Sequence, residues 1–329
     1  MTMPSRSSRI AVLMVALTLA FGLASPAAHA SGEADAVHAV HADAPIGTLV
    51  TTEWLSEHLG DPDLVVLDCS VRVEMGEDGQ FSRTSGRADY EAGHIPTAGF
   101  ADLTGALADT DSPFDFSLPT PEEFAAAMGA LGVGDDTRVV LYDSSMSVWA
   151  ARVWWMLRWI GFDRAALLDG GLKAWTAEGR ELSTEAVERP ARTLTPHPRP
   201  ELIADRNEVL ASLGDAEVCL VDVLPEASFR GEMSMYDRPG HIPGATNWPV
   251  ATLLDESGRY RPLDDLAPTN PCPPATRAIT YCGGGIAASA SAFALSRLGH
   301  PDVAVYIGSL QEWTADPSNP MEVAAPPAP

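Results

Sequence analysis

Lysine is almost absent. Lys173 is the only one in 329 residues, so the second half of the chain has no amine for Schiff-base or ammonium chemistry, and its cations are arginines. Positive charge is scarce as a whole: 21 Lys and Arg stand against 45 Asp and Glu, for a formal net charge of −24. Such a chain is repelled by nucleic acid and by anionic membrane surfaces, so neither is an expected partner. There are four cysteines, without a CxxC pair or a Cys/His spacing that would hold a metal. Long apolar runs are also missing, with one exception. Arg6 and Arg9 precede an apolar stretch from Ile10 to Ala24, and Ala28-His29-Ala30 follows. The stretch is short for a membrane span and reads as a secretory signal peptide over residues 1–30, cleaved near Ala30-Ser31. The expected destination is the periplasm or the exterior, with no membrane contact after cleavage. His38 and His41 read as leader residues rather than ligands.

What the chain does have is a thiol at a strand-to-helix turn. Ala278 to Tyr281 is an apolar run, Cys282 ends it, Gly283-Gly284-Gly285 make a tight loop, and Ile286 onward has helical composition. A sulfur there faces backbone N–H groups and the positive end of a helix dipole, both of which favour thiolate. The alternative is a small buried cysteine followed by glycines needed only for the turn. Cys69 and Cys219 lie in or beside apolar strand-like runs and are expected as buried free thiols. Cys272, among Pro271, Pro273 and Pro274, is expected at the surface. A Cys272–Cys282 bridge is conceivable, although the intervening strand would hold the two apart.

The chain is internally duplicated. Gly93-His94-Ile95-Pro96 recurs as Gly240-His241-Ile242-Pro243, Tyr142-Asp143 aligns with Tyr281-Cys282, Gly161 with Gly299, and Gly171-Leu172-Lys173-Ala174-Trp175 with Ser309-Leu310-Gln311-Glu312-Trp313. Each half opens with an apolar run ending in aspartate, Asp68 or Asp222. Short apolar runs at Val139 to Tyr142, Ala165 to Leu168, Ala278 to Tyr281 and Val303 to Tyr306 alternate with helices over about 149–160 and 287–298, a pattern that predicts a parallel α/β sheet in each half. The boundaries fall at 46–183 for the first domain, 184–200 for a proline-rich linker, and 201–318 for the second domain.

These residues resemble a known family. Two tandem α/β domains, Gly-His-Ile-Pro in each, and a strand, Cys282, glycine loop and helix followed by Val305 to Trp313 (Val-Tyr-x-Gly-Ser-Leu-x-Glu-Trp) look like the two-domain rhodanese sulfurtransferases, over roughly Ile46 to Met321. The resemblance implies a non-catalytic first domain, with Asp143 at the cysteine position. It further implies a double displacement in which Cys282 takes sulfur from a small anionic donor as a persulfide and passes it to a thiophilic acceptor: cyanide, a small thiol or a protein thiol. No metal or organic cofactor is required. The N–H groups of Gly283, Gly284, Gly285, Ile286, Ala287 and Ala288 form the expected anion cradle. A cysteine phosphatase is not expected, because the arginine its C-x5-R loop needs is replaced by Ala288.

Donor preference is less sharply marked. Thiosulfate-preferring members carry basic residues directly after the cysteine, whereas Gly283-Gly284 matches the small residues of mercaptopyruvate-preferring ones. Those enzymes also use arginines where this chain has Leu224 and Ser228. Arg230 and Arg238 are the remaining candidates to attract an anionic donor, unless they are solvated or paired with Glu226, Glu232 or Asp237. His94 and His241 occupy duplicated turns, one without a nucleophile, which points to a structural role. Trp149, Trp154, Trp155 and Trp159 are expected in core and interdomain packing, with a wall of the active cleft as the alternative. A persulfide carrier with little turnover, or a thiol–disulfide partner using Cys272, are the competing functions.

Overall fold

Runs of β-branched and aliphatic residues give short buried strands, and helices between them force parallel crossovers. The computed structural model describes residues 46–76, 81–234 and 236–323; the expected signal segment, His38 and His41 lie outside them. In the first half the strands are β1 (Leu49–Val50), β2 (Leu64–Asp68), β3 (Val71–Met75), β4 (Phe81–Ser85), β5 (Gly99–Phe100), β6 (Arg138–Tyr142) and β7 (Ala165–Leu168). In the second they are β8 (Ile203–Ala204), β9 (Val218–Asp222), β10 (Thr246–Asn247), β11 (Arg277–Tyr281) and β12 (Val303–Tyr306). The helices of six or more residues are α1 (Thr52–His58), α2 (Arg87–Ala92), α3 (Pro121–Ala130), α4 (Val148–Trp159), α5 (Gly171–Ala177), α6 (Arg206–Ala211), α7 (Ile286–Arg297) and α8 (Ser309–Ala315).

The duplication read from the sequence is a duplication of topology. One parallel sheet runs β1-β7-β6-β2-β5 and the other β8-β12-β11-β9-β10, element for element the same order. Register matches as well: Asp68 lies opposite Tyr142, and Asp222 opposite Tyr281. The two hydroxyls do the same work, since Tyr142 accepts from the Ile95 N–H at 3.1 Å and Tyr281 from the Ile242 N–H at 3.0 Å. His94 and His241 each bond a backbone carbonyl through Nδ1 and stack on an aromatic ring, Tyr90 and Phe229 respectively. The repeated Gly-His-Ile-Pro is therefore a staple between a turn and the central strand in both halves. The β3–β4 antiparallel hairpin has no counterpart among the described residues of the second half.

Helices α4 and α7 pack against each other and join the halves, with Trp154 edge-on to Phe293 at 4.8 Å. Both are buried around most of their circumference, which explains why their sequences lack a polar stripe. Residues 184–200, expected as a linker, form a strap along the first half: the N–H groups of Arg192, His197 and Arg199 donate to Gly129, Ile160 and Trp159 carbonyls at 2.9, 2.7 and 2.7 Å. Packing continues past residue 318, where the N–H of His241 bonds the Glu322 carbonyl.

Two cysteine expectations are corrected. Cys219 and Cys272 form a disulfide, with Cα atoms 5.6 Å apart, so Cys219 is not a free thiol. Cys272 is 3% exposed rather than at the surface. The proline-rich segment folds back over the start of β9, a tertiary approach that local composition does not encode. Cys69 is buried and free, as is Cys282.

Candidate active site

Cys282 stands at the carboxyl end of β11, the middle strand of the second sheet, where ligands of open α/β sheets bind. Space dictates the glycines after it. A Cβ on Gly283 would lie 1.4 Å from the Tyr236 hydroxyl, and one on Gly285, whose φ is +77°, would lie 2.8 Å from the Ile307 carbonyl oxygen. The loop is braced from below by Ser309. Its hydroxyl accepts from the N–H groups of Cys282 at 3.1 Å and Gly285 at 3.0 Å and donates to the Tyr306 carbonyl at 2.7 Å. Ser309 holds φ at +49°, a conformation that costs a non-glycine residue on the order of 1 kcal/mol. The repeat places Gly171 at this point, so the hydroxyl is an addition peculiar to the half with the thiol. The Gly285 N–H is thereby turned away from the expected cradle. Ile286, Ala287 and Ala288 supply the first N–H groups of α7, which have no partner within the helix.

What that loop shape can hold is visible in the other half. Asp143, at the position matching Cys282, is fully buried, and its carboxylate accepts four backbone N–H groups: Ser145 at 2.8 Å and Ser147 at 3.1 Å on Oδ1, Trp149 and Ala150 at 3.0 Å each on Oδ2. Burial pushes this carboxyl above its usual range while the four donors pull it back. Trp149 and Ala150 are the second and third residues of α4, as Ala287 and Ala288 are of α7. One copy of the loop thus already cradles an anion with its helix N-terminus.

Over Cys282 lies a cavity of about 350 Å³ walled by both halves. Cys282, 3% exposed, is at its floor. Arg83 of the β4 strand, Phe116 and Trp149 come from the first half, and Tyr236, Leu224 and Gln311 from the second. Gln311 ties the halves together, its Nε2 donating to the Asp115 carbonyl at 2.9 Å. Burial, and next the charge of Cys282, push the Tyr236 phenol well above its usual range, so it remains a hydrogen-bond donor. Arg83 is half-buried, and no ion pair involves it among the described residues. A wider depression of about 570 Å³ along Arg87, His94 and Arg189 has no cysteine in its lining.

The profile of the Rhodanese-like domain matches residues 51–178 and again residues 205–316. This chain belongs to the rhodanese family. Its relatives include a probable 3-mercaptopyruvate sulfurtransferase of Pseudomonas aeruginosa, 36% identical across 83% of this chain and 97% of that one. The 3-mercaptopyruvate sulfurtransferase of Escherichia coli K12 is 35% identical over the same shares. A thiosulfate sulfurtransferase of Gallus gallus is 33% identical over 80% of this chain and 92% of its own. Among solved structures, the rhodanese-fold 3-mercaptopyruvate sulfotransferase SseA from Escherichia coli superposes with a TM-score of 0.71 at 34% identity, covering 80% of this chain and 99% of that one. EanB with ergothioneine covalently linked to a persulfide cysteine gives a TM-score of 0.71 at 25% identity, covering 85% and 70%.

Of the predicted loop, Cys282, Gly283, Gly284, Ile286 and Ala287 line the cavity, whereas Gly285, Ala288 and both predicted arginines do not. Arg238 is held inside the second half by four carbonyls, those of Trp313, Thr314, Asp316 and Asn319 at 3.2, 3.2, 2.9 and 2.7 Å. Arg230 pairs with Glu226 one helical turn away. Neither guanidinium lines the cavity over Cys282, so neither is the anion clamp expected of it. Leu224, which stands where an arginine was expected, is on the wall and makes it apolar at that point. The site residues not singled out from sequence are Arg83, Tyr236 and Ser309. Ser309 carried a signal, because it breaks the repeat against Gly171. Arg83 carried none, since its hairpin has no second copy to compare.

Proposed function

We propose that this chain is an exported sulfurtransferase that moves a sulfane sulfur from a small anionic donor, 3-mercaptopyruvate ahead of thiosulfate, through a Cys282 persulfide to a thiophilic acceptor. One observation carries the reading: Cys282 occupies the loop whose duplicate holds the Asp143 carboxylate on four N–H groups. A persulfide would set its outer sulfur toward the corresponding donors of α7, a preorganised anion site. The relatives' names and the persulfide cysteine of EanB point the same way.

The chemistry balances without a cofactor. The Cys282 thiolate attacks the sulfur of mercaptopyruvate, an S–S bond forms, the C–S bond breaks with its electron pair passing into the pyruvate enolate, and the donor's thiol proton ends on carbon to give pyruvate. Tyr236, kept protonated, is the group able to hydrogen-bond the developing enolate oxygen. An acceptor thiolate or cyanide then takes the outer sulfur and returns Cys282 as thiolate. Arg83 is the cation on the wall for the donor's carboxylate. Export is supported by the Cys219–Cys272 disulfide, a bond that persists in oxidising compartments.

Intact mass after incubation with each donor tests the mechanism. Wild type should gain one sulfur atom and Cys282→Ser none; no gain in wild type with either donor would end the persulfide reading. N-terminal sequencing of the protein recovered from outside the cytoplasm should begin near Ser31, and an unprocessed N-terminus there would remove the cleaved-signal claim.

A further inference from the structure

Arg152 lies on α4, in the half without a nucleophile, and is 1% exposed. Its Nη2 donates to the Phe116 carbonyl at 2.7 Å, but Nε and Nη1 have no hydrogen-bond partner. No ion pair involves it among the described residues. A cation buried without a counter-ion is costly and persists only where something compensates it. Asp143 does not, because its two oxygens are already taken by N–H groups. The guanidinium instead reaches across the domain junction to the nucleophile loop: Nη1 is 3.1 Å from where a Cβ on Gly285 would stand. Position five of α7, the counterpart of Arg152 in α4, is Ala290, so the second half has no such charge of its own.

We infer that Arg152 is a positioning residue for sulfur transfer: the half without a thiol supplies, behind the Gly283–Gly285 loop, the buried counter-charge for an anionic sulfur on Cys282, thiolate or persulfide. Burial pulls the Arg152 guanidinium down to about 10, and the one charge that opposes this is that of Cys282. The assignment deepens the sulfurtransferase reading and rests on it for the persulfide, but not for the thiolate. It also gives the duplicated but inert half a function beyond wall-building.

The test compares wild type with Arg152→Met and Arg152→Lys. Alkylation of Cys282 by iodoacetamide, a neutral reagent, is followed at fixed pH and needs no sulfur donor. Arg152→Met should react about tenfold more slowly and Arg152→Lys within about threefold of wild type. With mercaptopyruvate, kcat should fall in Arg152→Met while the donor KM changes less than about twofold, because Arg152 does not line the cavity. A purely structural arginine would instead lower the melting temperature and leave alkylation of the folded fraction unchanged. A second measurement uses unmutated protein. A persulfide is a stronger acid than a thiol, so loading should extend the anionic state to lower pH and raise the melting temperature in acidic buffer, with no rise in Cys282→Ser. Alkylation of Arg152→Met at the wild-type rate overturns the inference; if that variant does not fold, an unchanged melting temperature on loading overturns it. Absence of loading with normal alkylation effects would fail the persulfide reading alone.

Discussion

Arg83 is the residue on which donor recognition turns. It is carried by the β3–β4 hairpin to the wall of the cavity that Asp115 and Tyr236 also line. Val73, Phe81 and Met146 around it are exposed and apolar, so a carboxylate entering past them meets one cation. A charge-assisted hydrogen bond of this kind contributes about 1.5–3 kcal/mol, and Arg83→Ala should raise the KM for mercaptopyruvate by about tenfold or more. Alkylation of Cys282 by iodoacetamide should stay at the wild-type rate, since the nucleophile is untouched. An unchanged KM in steady-state kinetics would remove Arg83 from donor binding. At this scale sequence is an uneven guide. Cys282 and its loop were legible because strand, thiol, glycines and helix are contiguous. Arg238 was not, because four carbonyls from a distant segment claim it, and nothing near it in sequence announces them.

Elements were more legible than residues. The four strands and two helices predicted from apolar spacing all exist, with ends within a residue of the expected ones, because strand length and helix burial are local consequences of composition. The hairpin was missed because its exposed residues, from Arg72 to Met75, lack a buried alternation. The Cys219–Cys272 bridge was missed for a different reason: pairing is a property of the fold. It ties the start of β9 to the loop preceding β11, closing a span of 53 residues. In the chain-entropy picture a loop of that length stabilises by about 4 kcal/mol, with measured values commonly 2–4. Cys219 pairs with Ala278, at the opposite end of β11 from Cys282. Selective loss of the bridge, as Cys219→Ala with Cys272→Ala, should therefore lower stability to denaturant by about 2–4 kcal/mol while sulfur loading at Cys282 proceeds. A variant equally stable to urea would show that the bridge constrains nothing the fold does not already fix; a variant that folds but fails to load would tie the bridge to the site.

In the whole molecule the two copies have diverged into complementary roles rather than parallel ones. The second half keeps the thiol and the Ser309 brace. The first half keeps the anion-filled loop, the hairpin that bears Arg83, and the helix that bears Arg152. A single apolar cluster runs through both, from Leu67, Leu141 and Trp154 to Phe293, Ala304 and Trp313, with the α4–α7 pair at its centre. The first half has a smaller cluster of its own on the other face of its sheet, with Val50, Leu55, Leu64, Ile95 and Trp175, but the larger core is shared, so the usual expectation that tandem domains unfold in separate steps does not apply. Six of the eight tryptophans lie in the first half, and Cys282 reports on the second. Tryptophan fluorescence and the accessibility of Cys282 to iodoacetamide should trace one coincident transition in urea, with a single midpoint. Two midpoints, with Cys282 exposed while the first-half tryptophans remain buried, would mean that the catalytic half opens on its own and that the α4–α7 contact is a docking surface between independent cores.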